Sequence, residues 1–174
     1  YTDYAIGRFL EQAKREPWFK DTVFVVVADH CASSAGKTEL PIHKYHIPLL
    51  IYAPGIVEAK IVDKVSSQID LMPTLFGMLG WSYKSKFYGH DILDHDFNER
   101  ALVGTYQQLG LFEDNIITVL LPRKEIESFE ILEQDIHSSK YKEVRTDQLN
   151  EDDALAYYEG ASLLHKKKLD RYDN

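Results

Sequence analysis

Residues 23–30 read VFVVVADH. The chain is apolar from Val23 to Ala28, then turns abruptly to Asp29 and His30. The run is short, continuous and rich in β-branched residues. It predicts a strand covered on both faces, as in a parallel α/β sheet. In such sheets ligands collect beyond the carboxyl ends of the strands. Asp29 and His30 stand at that place, where strand alternation no longer sends neighbours to opposite faces. The pair is therefore a candidate for two ligands on one metal ion. The plainer reading is that Asp29 caps a turn and His30 bonds within the core.

Working outward, Tyr4 to Arg15 has the apolar spacing of an amphipathic helix, ended by Pro17 and Trp18. Ile47 to Ala53, IPLLIYA, predicts a second buried strand, closed by Pro54-Gly55. The polar stretch Cys31 to Tyr45 between the two predicts a long loop of the kind that carries function. Ser66 to Leu79 predicts a helix in which Asp70 is an N-cap rather than a ligand and Pro73 falls in the first turn. Residues 81 to 98 are aromatic, charged and irregular. After Arg100, the segments ALVGTYQQLGLF, NIITVLLP, SFEILEQD and YKEVRT predict short strands at hairpin spacing, an antiparallel sheet. Glu151 to Tyr172 predicts a closing helix. The expected organisation is an α/β part over residues 1–99 and a C-terminal α+β subdomain over 100–174.

Composition narrows the function. The 174 residues are 44% hydrophobic and 28% charged, enough for a real core. A net charge of -8 with no basic stripe argues against a nucleic-acid partner. The cluster His165 to Lys168 suits the end of a helix. No apolar run approaches the roughly 20 residues of a bilayer span. The single cysteine, Cys31, excludes an intrachain disulfide. Tyr1 is not an initiator methionine, so further chain is expected ahead of it.

The loop after the first strand holds Lys37, His43, Lys44 and His46. With Asp29 and His30 these make a set of metal-ligating and anion-binding types. A metal polarises a phosphoryl or sulfuryl oxygen, and a nearby Lys or His neutralises the others. The set suits chemistry on a tetrahedral anion, with Lys37 and His43 as the substrate-binding candidates.

The ordered blocks YTDYAIGRFLEQAKREPWFKDTVFVVVADH, GKTELPIHKYHIPLLIYAPG, SSQIDLMPTLFGMLG and FYGHDIL resemble the C-terminal part of a sulfatase-type domain of the alkaline phosphatase superfamily. They are most similar to lipoteichoic acid synthases and related phosphoglycerol transferases. The resemblance covers residues 1 to 93 and implies a sulfatase-like, mainly parallel α/β sheet beside the antiparallel subdomain. It implies that Asp29 and His30 bind the catalytic divalent ion, manganese in the transferases, with zinc, magnesium or calcium as alternatives. Lys37 matches by position a lysine that contacts the anionic group in sulfatases. His43 and His46 match no family position.

The resemblance also marks what this sequence lacks. The family's nucleophile, a threonine in transferases or a modified cysteine or serine in sulfatases, precedes this strand, as does another acidic ligand. Cys31 is in the wrong place for that role. No catalytic residue is therefore assigned within the chain, and the segment alone is expected to bind metal weakly and not to turn over. The expected parent is an extracytoplasmic enzyme, membrane-bound only through helices ahead of this segment. It would act on phosphoglycerol-type phosphodiesters, with a sulfatase as the alternative; His30 after Asp29, in place of the Asn or Gly of many sulfatases, favours the transferase. The expected partners are the anionic ester and the missing N-terminal part. A sheet without its other strands has an open edge, which predicts an edge-strand dimer. The reading from another class is a non-catalytic interaction domain using Trp81, Tyr83, Phe87 and Tyr88.

Overall fold

The apolar run folds as β1 (Phe24–Val27) in a computed structural model that describes residues 1–31, 40–134 and 139–170. The chain divides into two units: Tyr1–Asp29 with Ile47–Ile61, and His30–His46 with Val62–Asn174.

In the first unit, α1 (Thr2–Ala13) leads through a 3-10 turn at Phe19–Asp21 to β1, and β2 (Leu49–Tyr52) pairs with it. Phe24 is the centre of this unit. Its ring centroid lies 5.9 Å from that of Phe9, 5.4 Å from Phe19 and 6.2 Å from Tyr52. Ala13 and Leu10 complete the cluster.

Two expectations change here. The strands pair antiparallel, from Phe24 opposite Tyr52 to Val27 opposite Leu49, where the apolar runs predict parallel strands. An unbroken apolar run reports that both faces are to be covered; it carries no information on direction. The cover is also incomplete among the described residues. Val27 is 37% exposed, Leu49 42% and Leu50 51%.

The second unit is built on a five-stranded antiparallel meander. The antiparallel sheet is as the hairpin spacing predicts, but the first of the four predicted segments, ALVGTYQQLGLF, divides into two strands. Its strands are β3 (Arg100–Gly104), β4 (Leu109–Glu113), β5 (Ile116–Leu120), β6 (Ile126–Gln134) and β7 (Ser139–Val144). Thr105 shapes the first hairpin, its hydroxyl accepting from the amides of Gln107 and Gln108. Asp114 and Asn115 join β4 to β5 with φ of 48° and 64°, the left-handed pair that a two-residue hairpin demands. One face of the sheet carries Val103, Ile117, Val119 and Ile131 against Leu40 and Ile42. Leu40 to Tyr45 is thus part of a core rather than the open loop expected of it. Ile42 to Lys44 forms a 3-10 turn, and the Ile42 amide donates to the Tyr141 hydroxyl of β7 at 2.8 Å.

On the other side, α3 (Gln148–Lys166) packs against β4 and β5, buries Ala154 completely and ends with His165 and Lys166 in its last turn. The Tyr158 hydroxyl sits 2.9 Å from the carbonyls of both Val103 and Gly110, and burial pushes its pKa up to about 12.

One buried ion pair organises the remaining segments. Arg100, 1% exposed, donates through both terminal nitrogens to the carboxylate of Asp70, 0% exposed, at 2.7 Å each. Asp70 also accepts from the amides of Ser67 and His90, each at 2.9 Å. Arg100 donates its Nε to the Tyr157 hydroxyl of α3 at 2.7 Å and lies over the Phe97 and Tyr157 rings.

The N-cap expected of Asp70 is corrected in detail. Asp70 precedes α2 (Leu71–Met78), but its side chain turns back to Ser67 across the 3-10 turn Gln68–Asp70 and out to Arg100. The next turn is tied in by Thr74, whose hydroxyl donates to the Asp70 carbonyl and accepts from the Ile92 amide. Gly89 permits the close approach. A Cβ there would lie 2.0 Å from the Ile69 carbonyl oxygen and 2.8 Å from the Asp70 nitrogen.

Burial alone would raise the Asp70 carboxyl, but the Arg100 guanidinium and the two amides outweigh it and hold it below its ordinary value. Asp70 therefore adds stability that is complete above the unfolded carboxylate pKa of about 3.9. That contribution is lost as pH falls through the lower folded value. Arg100→Ala strands a buried carboxylate and is expected to cost about 3–5 kcal/mol in urea unfolding, with Asp70→Leu/Arg100→Met costing less. Asp70→Asn should flatten the acid limb of stability against pH, and an unchanged limb would refute this account. Gly89→Ala should lower Tm while Gly7→Ala, with open space at its Cβ, should not.

Candidate functional site

Asp29 and His30 follow β1 by two and three residues, both exposed, as the sequence predicts. Asp29 closes the first unit and His30 opens the second. The His30 Nδ1 lies 2.8 Å from the Cys31 carbonyl oxygen. A carbonyl only accepts, so Nδ1 carries the proton and the ring lone pair is on Nε2. That is the tautomer in which a histidine ligates a metal while a backbone carbonyl orients its ring. Cys31 is half-buried, and its thiol donates to the His46 carbonyl at 3.3 Å. It ties the strand exit to the residue before Ile47, a structural role rather than a nucleophilic one.

His43 is half-buried in the 3-10 turn against Ser139 of β7. The His43 amide points at the Ser139 hydroxyl oxygen at 3.4 Å, and the His43 Nδ1 is 3.0 Å from the same oxygen. The hydroxyl can both give and accept, so it holds the His43 ring in place through either tautomer. Tyr45, close by in sequence, donates to the Gly104 carbonyl at 2.9 Å; burial, and then Cys31, raise its phenol above the ordinary value. Lys37 lies outside the described residues.

Among the described residues, no three His, Cys, Asp or Glu side chains meet in a group that could hold a metal ion. The donor set fits part of a divalent site. A carboxylate and an imidazole of the correct tautomer suit manganese or zinc, yet such sites take three or more protein ligands. Asp70, the carboxylate that the sequence raises besides Asp29, is spent on Arg100 and two amides. That pairing escaped sequence reading because thirty residues separate its partners and neither is periodic with a motif.

Comparison with known proteins bears on these positions. The sulfatase family model matches residues 1–81, the span that contains β1, Asp29 and His30. The chain is 31% identical over 107 residues to an endo-4-O-sulfatase of Bacteroides thetaiotaomicron, a match that covers 57% of this chain and 21% of that protein. It is 26% identical over 113 residues to the lipoteichoic acid synthase-like protein YvgJ of Bacillus subtilis, covering 55% of this chain and 18% of that one.

A crystal structure of an alkaline phosphatase superfamily protein from Vibrio parahaemolyticus matches 99% of this chain and 42% of its own, with a TM-score of 0.88 and 28% identity. The fold is the α/β fold of that superfamily, including the antiparallel sheet and closing helix. The chain spans about a fifth of the length of the curated relatives it matches. No described helix is long and apolar enough to cross a membrane.

The His30 imidazole can be read directly. Long-range ¹H–¹⁵N spectra above pH 7 should show His30 protonated at Nδ1. The reverse assignment for His30 would remove its metal-ready tautomer.

Proposed function

We propose that this sulfatase-type segment supplies Asp29 and His30 to the divalent metal site of a larger enzyme that works on a tetrahedral anionic ester. The observation that supports this reading is the placement of an exposed Asp-His pair beyond β1, with His30 in the Nδ1–H tautomer, inside the sulfatase-matched span. A bound ion, manganese in the first instance, would polarise an ester oxygen and lower the pKa of a coordinated nucleophile. The chain's own residues hold and orient. The Cys31 carbonyl fixes the His30 ring, and the Cys31 thiol holds the strand exit through His46. Lys37 and His43 are the side chains proposed for the substrate's anionic oxygens.

The preferred reaction is transfer of a phosphoglycerol-type group from a phosphodiester, at an extracytoplasmic site, by way of a nucleophile supplied outside these residues. The similarity to YvgJ supports it. Hydrolysis of a sulfate ester is the second reading, favoured by the higher identity to the endo-4-O-sulfatase. Two ligands and no nucleophile leave the segment inactive by itself, and the open edge of β1 invites pairing with another chain.

Paramagnetic broadening tests the metal assignment. Titration with Mn²⁺ should broaden NMR signals first around Asp29 and His30, and Asp29→Ala or His30→Ala should abolish that local effect while leaving the fold intact. Broadening centred elsewhere, or unchanged in both variants, would sink the proposal. The isolated chain should not turn over a phosphoglycerol lipid or an aryl sulfate.

A further inference from the structure

Two turns at one end of the five-stranded sheet carry side chains that the metal reading does not use. A meander reverses direction at each hairpin, so the β3–β4 turn and the β5–β6 turn fall at the same end. The register sets them side by side. Leu109, just after the first turn, lies opposite Leu120, just before the second. The turn centres are two strand spacings apart, about 10 Å. The first turn presents Tyr106, 97% exposed, and Gln107, also exposed. Thr105 holds that turn in shape through its hydroxyl and through its amide, which donates to the Gln108 carbonyl at 2.8 Å. The second turn is closed by the Leu121 amide, which donates to the Glu125 carbonyl at 2.9 Å, and presents Arg123 and Lys124, both exposed.

The residues of the second turn are poorly chosen for stability. Arg123 and Lys124 have φ of 68° and 65°. Asp114 and Asn115 adopt the same left-handed backbone one hairpin earlier, with residue types that tolerate it, whereas long β-carbon-bearing cations do not favour it. Backbone strain of this kind gathers at ligand sites. Here it holds two exposed cations beside an exposed aromatic ring.

We propose that the two turns form a binding site for a carbohydrate chain that carries sulfate or phosphate esters. Arg123 and Lys124 take the ester oxygens, the guanidinium through its planar fork. The Tyr106 ring covers the apolar face of an adjoining sugar, and the Gln107 amide bonds to hydroxyls. Two cations on a chain of net charge -8 suit a short anionic stretch and not a long nucleic-acid track. Both turns lie outside residues 1–81, and the inference goes beyond the metal reading without depending on it.

Calorimetric titration of the 174-residue chain tests this, with dextran sulfate and dextran phosphate as anionic probes and plain dextran as the neutral one. At least one anionic dextran should bind, the tighter of the two naming the ester, and plain dextran should not. Arg123→Asn/Lys124→Gly installs the residues that the turn favours. It should raise Tm yet weaken binding at least tenfold, which separates loss of the site from loss of the fold. Tyr106→Ala should weaken binding at least threefold with Tm unchanged. Lys166→Gln/Lys167→Gln, at the end of α3, should change nothing.

The proposal is overturned if neither anionic dextran binds, or if the turn variant binds as well as the unaltered chain. A turn variant with lowered Tm overturns it too, because the turn would then be built for stability. So does loss of binding in the α3 variant, which would move the site. A single-stranded oligonucleotide that binds as tightly as the dextrans, with Tyr106→Ala without effect, reduces the attraction to charge alone and defeats the carbohydrate assignment.

Discussion

The Asp70–Arg100 pair is the constraint on which the second unit depends. One carboxylate takes four donors: two from Arg100 and the amides of Ser67 and His90. Those donors come from β3, from the turn before α2, and from the 87–93 segment. Arg100 adds α3 through Tyr157. Four stretches far apart in sequence must therefore arrive together, because a partial assembly leaves a charge buried without its partners. Such a pair stabilises little over a well-packed apolar replacement, but it makes wrong arrangements expensive. Here the wrong arrangements include any sliding of α2 against the 87–93 segment, since Thr74 fixes its next turn to Ile92.

The same accounting of hydrogen bonds separates structural from chemical residues. Asp70 is ionised, buried and saturated, so it has no lone pair left for a ligand. Asp29 is exposed at a strand end. The backbone carbonyl beside His30 decides which ring nitrogen keeps its proton and leaves Nε2 as the side that could give a lone pair to a metal. His43 is held instead by the Ser139 hydroxyl, which can give or accept a hydrogen bond.

How legible each feature was depends on the range of its cause. The meander was readable because alternation and turn chemistry are local: Asp114-Asn115 is a hairpin turn wherever it occurs between alternating strands. The strand before Asp29 was readable in place and length, but its direction was not, because apolar content reports cover alone. The Asp70–Arg100 pair left no local trace. Gly89 and His90, within FYGHDIL, carried part of the family resemblance, and the structure gives them a packing reason: the glycine lets the backbone reach Ile69 and the His90 amide serves Asp70. Asp29 and His30 stood out because an abrupt change from apolar to ligand-type residues is itself a local signal.

The two units differ in how far they meet their own needs. The second has a continuous apolar face under Leu40 and Ile42, a helix on its other side and a satisfied ion pair within. The first buries only Ala13, Phe19 and Phe24 in its cluster, and much of its remaining apolar surface stays in solvent. Yet its strand is the more apolar in sequence. That strand is only partly covered among the described residues, with Phe24 buried and Val27 exposed. The ligand-type pair comes at the end of that strand and not within the self-sufficient sheet. The larger core thus lies in the second unit, Leu40 and Ile42 included, while the chemistry proposed for the chain begins at the end of the less covered strand.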